Sequence, residues 1–351
     1  MKFCCVFTAT SLVIACLLLP VPATAATGEA KPLPSIIVQD GQLINLQQEK
    51  YRKLFLELEQ KYQFQSPELE EIFQGQKIDR RVLDLMDKQW KKRPYYEYFP
   101  LFLTPETIKT GKKKLQMHKT LLDQIEKKIG VEREVIVAIW GIETRFGTNQ
   151  GDFNILRTLN TLFDAYPRRA EFFREELIQF LVLCREHGVD SKNAKGSYAG
   201  AFGQAQFMPS SFRRFAVSFD ENEQCDLWNS VPDALASIAN YLKRHSWVQG
   251  APVYVELGNT LKDKRLQAAM EEGREGRISW ELVRVVQEKD LPRSPGGLPL
   301  SIIGLELDPK TSKHAYRYVA GYPNFHTITE YNHSLFYGMA VSELAELLKE
   351  K

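Results

Sequence analysis

The chain has 351 residues, 44% apolar and 26% charged, with 46 Lys and Arg against 44 Asp and Glu for a net charge of +2. These values exclude a disordered tail, a collagen-like or disulfide-framework protein and a polytopic membrane protein. The balanced charge excludes a dedicated nucleic-acid binder, which carries a clear basic excess, and the length fits about two domains able to bury real cores.

The first element is a leader. Met1 and Lys2 make a minimal basic start, residues 3–19 are almost wholly apolar, Pro20 and Pro22 break the run, and Ala23, Thr24 and Ala25 place small residues where a signal peptidase cuts. A signal peptide over 1–25 is predicted, leaving an exported chain of net charge +1. No later run approaches the ~20 apolar residues that a membrane span needs. Val13, Ile14, Ala15 and Cys16 also resemble a lipobox, which would put a lipid anchor on Cys16, although Leu17, Leu18 and Leu19 are an unusual start for a mature lipoprotein. The mature chain keeps two cysteines, Cys184 and Cys225, which either pair in an oxidising compartment or stay as structural thiols.

After a Pro-containing linker, residues 43–90 are rich in Leu, Glu, Lys and Gln with apolar positions at helical spacing, predicting two or three amphipathic helices. Residues 93–100 crowd four aromatics between prolines, to pack an edge or line a cleft. Thr104, Pro105 and Glu106 start a helix that continues over 108–128. Further helices are predicted over 131–146, 169–187 and near 231–244, with a Gly, Ala and Ser stretch at 196–211 between the last two. Strand-like patterns follow at 252–257, 302–307 and 316–322, separated by Gly and Pro loops, before a closing helix over 334–349. The fold class is mainly α, with a small β-containing part.

Motifs for serine hydrolysis, zinc catalysis and phosphate binding (GxSxG, HExxH, GxxxxGK[ST]) are absent, and the six histidines are scattered. The surviving candidate is a carboxylate. With residues 131–146 wound at ~100° per residue from Val135, Glu143 falls near ~80°, inside the apolar stripe between Ile139 and Ile136, while Arg133, Glu134, Gly141, Thr144 and Arg145 occupy the polar arc. Gly147 is positioned to end the helix. Burial and the C-terminal end of the helix dipole both favour the protonated form of such a carboxyl, as a general acid for glycoside cleavage requires. The alternative is a structural Glu paired with Arg145 or Arg168. Glu132 shares the stripe but sits in the first turn, where an acid complements the dipole. The 196–211 stretch supplies small residues, amides and aromatics, suited either to sugar contact or to close helix packing.

IETRFG at 142–147, YPRRAEFF at 166–173, KGSYAGA at 195–201, QFMPSS at 206–211 and YNHS at 331–334 together resemble the membrane-bound lytic murein transglycosylase B family, in family order and across residues 40–348. The resemblance implies a lysozyme-like α core with added N-terminal helices and a small β-containing subdomain. The expected division is an N-terminal helical region over 26–103, a catalytic core over 104–249, the β-containing subdomain over 250–325 and a C-terminal segment over 326–351. It implies cleavage of the β-1,4 bond between N-acetylmuramic acid and N-acetylglucosamine in peptidoglycan glycan strands, to a 1,6-anhydromuramic end, with Glu143 as the single acid/base. It carries substrate contacts to Ser197, Gln206, Tyr331 and Asn332, with Tyr331 near Glu143 to orient it or the charged intermediate. Arg168 and Arg169 are matched as well, either facing substrate carboxylates or forming a surface pair at a helix start.

Family members can bind calcium in a loop that corresponds here to residues 218–233. Ser218 replaces the first acidic ligand, no Gly sits at the sharp turn, and Asp220, Asn222, Gln224 and Asp233 leave a low-charge set, so no cofactor is expected. Two further readings stand beside transglycosylation: a hydrolytic muramidase on the same fold, and a non-catalytic wall-binding scaffold.

Overall fold

The computed structural model describes residues 36, 38–88, 93–219 and 224–349. The expected leader, the Cys16 anchor site, Asp220 and Asn222 lie outside them.

Three helices open the described chain: α1 (Glu49–Tyr62), α2 (Ser66–Phe73) and α3 (Arg80–Lys88). Their apolar residues fall three and four apart, so Tyr51, Leu54 and Leu58 of α1 and Val82, Leu83 and Met86 of α3 are buried on single faces. These faces join the same hydrophobic cluster as the rest of the helical body, a continuous core running from Ile44 to Leu348.

The helix expected over 108–128 is two. Thr104 caps α4 (Pro105–Met117) by accepting from the Thr107 N–H at 3.1 Å, and His118 then leaves helical dihedrals before α5 (Lys119–Ile129). The break lets the His118 ring meet Trp140 edge-on at 5.8 Å while Leu122 and Ile125 of α5 enter the core. Trp140 belongs to α6 (Arg133–Thr144), the central helix. Of the polar arc expected on its wheel only Arg145 is exposed and Arg133 and Glu134 are half-buried, while Gly141 and Thr144 are buried with Val135 through Trp140, because α4, α5, α10 (Val231–Arg244) and α14 (Leu335–Leu348) surround it.

Between α6 and α10 the chain forms α7 (Ile155–Ala165), α8 (Ala170–His187) and the short α9 (Pro209–Phe215). α7 is largely enclosed, with only Arg157, Asp164 and Ala165 partly open to solvent. Its Thr158, Asn160 and Thr161 are buried, Asn160 Oδ1 accepting from the Tyr51 hydroxyl at 2.7 Å and Thr161 Oγ1 from the Asp79 N–H at 3.0 Å.

The strand patterns appear as β3 (Tyr254–Gly258), β4 (Ser301–Glu306) and β5 (Tyr316–Gly321), an antiparallel sheet in the order β3-β5-β4. Two helices not expected there, α11 (Lys264–Glu271) and α12 (Trp280–Gln287), cover it and complete a second core around Leu266, Val283, Ile302 and Tyr322. Its other face meets α14 and the chain near Tyr95 through Ile303, Leu305, Val319, Phe325 and Met339. α13 (Pro323–Tyr331) then returns the chain from β5 to the helical body.

A two-residue ladder, β1 (Phe153–Asn154) against β2 (Lys195–Gly196), fixes the Gly-rich stretch beside α6. Here backbones nearly touch: Gly151 has φ +91°, and a Cβ on it would lie 2.1 Å from the Gly196 carbonyl oxygen. Gly151→Ala therefore meets rigid backbone as well as left-handed strain, and a loss of about 3 kcal/mol or more is expected in urea unfolding.

Candidate active site

α6 carries Glu143 in its last turn. The helix ends two residues earlier than the Gly147 stop predicted, in a left-handed run of Arg145 (φ 49°), Phe146 (φ 60°) and Gly147 (φ 84°). Two of these are not glycine, so the turn stores strain of order 1–2 kcal/mol per residue. It is held by the Phe146 N–H to the Trp140 carbonyl at 3.2 Å and by the Phe146 ring lying under Gly141, where a Cβ would be 2.7 Å away. At the other end, Glu132 does more than complement the dipole: its carboxylate accepts from the Trp247 indole at 2.7 Å and from the Gly250 N–H at 2.6 Å.

The 196–208 stretch is tied to α6 through Gln204. Its Oε1 accepts from the Trp140 indole at 3.1 Å, and its carbonyl from the Thr144 hydroxyl at 3.0 Å. Both readings of the stretch hold in different parts of it. Gly200 and Gly203 give close packing on Leu159 and Leu227, whereas Ala201, Gln206, Phe207 and Met208 line a cavity of about 170 Å³ together with Glu143.

Glu143 is buried among these groups. Its Oε1 accepts from the Tyr337 hydroxyl at 2.6 Å, so the partner is a tyrosine and not the Arg145 or Arg168 that a structural role would use. Burial lifts its pKa from 4.5 to about 8, against the Tyr337 hydrogen bond, which favours the charged form. The carboxyl is therefore protonated at neutral pH. Tyr331, expected to orient Glu143, lines the same cavity but donates to the Ala205 carbonyl at 2.5 Å. Tyr241 of α10 stands beside it, ring centroids 4.8 Å apart, and Phe207 completes an aromatic wall.

Gln206 and Asn332 also reach the cavity. Gln206 Nε2 donates to the carbonyls of Gln150 and Gly203 at 3.1 and 2.9 Å. Its Oε1 and Asn332 Oδ1 are buried with no hydrogen-bond partner among the described residues, so each amide offers an acceptor to a ligand's N–H or O–H. Ser197 is placed differently. It is wholly buried, and its Oγ accepts from the N–H groups of Ala199 and Ala201 at 3.3 and 3.1 Å, shaping the turn that presents Ala201. Arg168 is exposed, and Arg169 lies over the Phe172 ring at 4.0 Å. Neither lines the cavity, although Phe172 does.

Two more carboxylates line the cavity, and the sequence singled out neither. Glu176 of α8 is buried, with its oxygens accepting from the Ser210 N–H at 2.9 Å and the Ser210 hydroxyl at 2.6 Å at the start of α9. Glu330 of α13 pairs with Arg274 and, at 3.6 Å, with His333. Tyr241 and Tyr337 were missed as well. A tyrosine at helical spacing in an apolar helix reads as core, and no signal in the chain separates these two from that background.

Of the four weak candidates for metal ligands, Gln224 and Asp233 are among the described residues. Asp233 Oδ1 and Oδ2 are taken by the N–H groups of Phe219 and Asp226, each at 2.9 Å, and Gln224 is exposed. No group of three metal-ligating His, Cys, Asp or Glu occurs among the described residues. Cys184 and Cys225 are unpaired thiols, and burial pushes both to about 12, which makes them poor nucleophiles.

Comparison with known proteins bears on the family and the fold. A family model described as "Transglycosylase SLT domain" matches residues 47–346. The membrane-bound lytic murein transglycosylase B of Escherichia coli (strain K12) is 37% identical over 303 residues, 82% of this chain and 79% of that protein. The crystal structure of the soluble lytic transglycosylase SltB1 of Pseudomonas aeruginosa superposes with a TM-score of 0.75 at 34% identity, covering 84% of this chain and 97% of that one. The Escherichia coli lytic transglycosylase Slt35 in complex with bulgecin A gives 0.77 at 33% identity over 90% and 97%. The chain thus belongs to the membrane-bound lytic murein transglycosylase B family, lysozyme-like enzymes that act on peptidoglycan.

Proposed function

We propose that Glu143 is the single acid/base of a non-hydrolytic cleavage of the β-1,4 bond between N-acetylmuramic acid and N-acetylglucosamine. One observation carries this reading. Of the three carboxylates lining the cavity, Glu330 has cationic partners and Glu176 has a backbone N–H and a hydroxyl, whereas Glu143 has only a tyrosine hydroxyl among the described residues. Glu143 is the one positioned to give up a proton and take it back.

In the first half-reaction the Glu143 O–H protonates the glycosidic oxygen, the bond from that oxygen to the anomeric carbon breaks, and the N-acetylglucosamine side leaves with a free 4-hydroxyl. The carboxylate so formed faces the cationic sugar and is stabilised by the Tyr337 hydroxyl. In the second, Glu143 takes the proton of the muramyl 6-hydroxyl as that oxygen bonds to the anomeric carbon. This closes the 1,6-anhydro ring, restores the acid and consumes no water. Glu176 is unsuited to be a second, nucleophilic carboxylate, because both its oxygens are turned to Ser210. Gln206 and Asn332 supply acceptors for sugar amides and hydroxyls, Tyr331 and Tyr241 supply the ring wall, and Ser197 acts through the turn it builds. Arg168 and Arg169 would meet carboxylates of the muramyl substituents, a reading supported by Arg169 lying over Phe172, which lines the cavity. Export by the leader, to the compartment where peptidoglycan lies, is part of the same reading, with Cys16 lipidation as the alternative anchor.

Mass spectrometry of products from purified sacculi tests the reaction. Muramyl ends lighter by one water than reducing ends are expected, and reducing ends alone would establish the hydrolytic muramidase instead.

A further inference from the structure

A second concavity, of about 620 Å³, shares no lining residue with the Glu143 cavity. It lies between the turn Tyr95–Tyr98, the face of the β3-β5-β4 sheet that carries Tyr254, Leu305 and Arg317, and the C-terminal half of α14. The aromatic cluster at 93–100 divides its labour here. Tyr95 is buried, its hydroxyl donating to Glu343 at 2.6 Å and its N–H to Glu306 at 3.0 Å. Tyr96 and Phe99 remain partly open and, with Tyr254 and Leu347, form apolar walls.

The polar part of the lining is acidic: Glu306, Asp308, Glu343 and Glu346 against a single Arg317. That arginine is committed, its guanidinium held by both oxygens of Glu256 at 3.1 Å and by Glu343, which keeps it firmly charged. Glu346 pairs with Lys349 at the rim. Glu306 and Asp308 have no cationic partner among the described residues, and each keeps one oxygen free of the backbone N–H that the other accepts from Tyr95 and Lys310 respectively. Aromatic walls beside uncompensated carboxylates select an aliphatic stem ending in a cation, which rests on the rings while its charge meets the acids. A glycan strand bearing carboxylates would be repelled by the same two acids.

We propose that this groove docks a lysine- or arginine-bearing, partly apolar peptide segment of a partner protein. It lies on α14, the helix that also presents Tyr337 to Glu143, so a bound partner would sit on the enzyme without covering the cleft.

The test is fluorescence anisotropy with a labelled, amidated Lys-Leu-Lys-Leu-Lys peptide on the full protein. Saturable binding is expected that weakens as salt rises. It should also weaken about tenfold or more in the double variant Glu306→Gln with Asp308→Asn, and in the separate variant Tyr96→Ala, while lysis of sacculi by each stays within about twofold of the parent. Lysis reports that the variants are folded. The proposal is overturned if the parent shows no saturable binding, if a Glu-Leu-Glu-Leu-Glu peptide binds equally well, if the double variant binds like the parent, or if chitotetraose displaces the peptide.

Discussion

Glu143→Gln should cut the lysis of isolated sacculi by roughly 10³-fold, the range expected for loss of a positioned general acid, and in the same protein raise stability at neutral pH. The second effect follows from the first group's burial. The folded chain holds the Glu143 proton up to about 8, while the unfolded chain releases it near 4.5. Below pH 4.5 both states are protonated and the carboxyl costs the fold nothing by linkage. Between 4.5 and 8 the unfolded state has lost its proton and the folded state has not, so stability declines across that window and levels off above it. The accumulated loss is on the order of 3–5 kcal/mol at full extent. Glutamine has the same shape, carries no charge and can still accept from the Tyr337 hydroxyl. The variant's Tm should therefore match the parent's near pH 4 and exceed it by several degrees at pH 8. A variant that is inactive but shows no pH-dependent gain would mean that Glu143 is ionised in the fold. A variant that still lyses sacculi would remove Glu143 from catalysis, whereas a parent protein that does not lyse them would leave the wall-binding scaffold.

The same anomaly that makes this group expensive made it legible. A carboxylate inside an apolar helical stripe contradicts the local pattern, and such contradictions concentrate at functional sites. Helices with one wet face, such as α1 and α8, were readable from spacing alone, as were the three strands. α7 and α13 received no prediction, although in α7 Ile155, Leu156, Leu159, Leu162 and Phe163 recur at helical spacing; what spacing does not show is that Thr158, Asn160 and Thr161 are buried with them. α11 and α12 have eight residues each, too short for a periodic signal to stand out between Gly-rich turns. Gln206 and Asn332, which reach the cavity, came from the resemblance of their motifs to the family and not from residue type or spacing. The site is opaque where a common type acquires its role by assembly: Glu176, Tyr241 and Tyr337 are brought together from three helices. Ser197 shows the reverse limit, since its hydroxyl suggests a ligand while its place in the turn directs that hydroxyl inward.

The hydrogen bond from Tyr337 is worth most in the state the reaction must pass through. Before proton transfer Glu143 is neutral and the bond is an ordinary one; after transfer it becomes a charge-assisted bond to a buried carboxylate, worth about 1.5–3 kcal/mol. Tyr337→Phe removes that differential and leaves the ring, which is wholly buried against the α6 face. A fall in kcat of about 10- to 100-fold is expected, with little change in KM, because the hydroxyl serves the acid more than the ground-state sugar. The pH profile distinguishes this from simple loosening of the core. Burial alone then acts on Glu143, so its pKa moves above about 8, and the alkaline limb of kcat/KM, where the acid is lost by deprotonation, moves to higher pH in the phenylalanine variant. A uniform drop with the limb unmoved would mean that Tyr337 supports only packing. A limb displaced toward lower pH would mean that Tyr337 accepts from the acid and donates elsewhere.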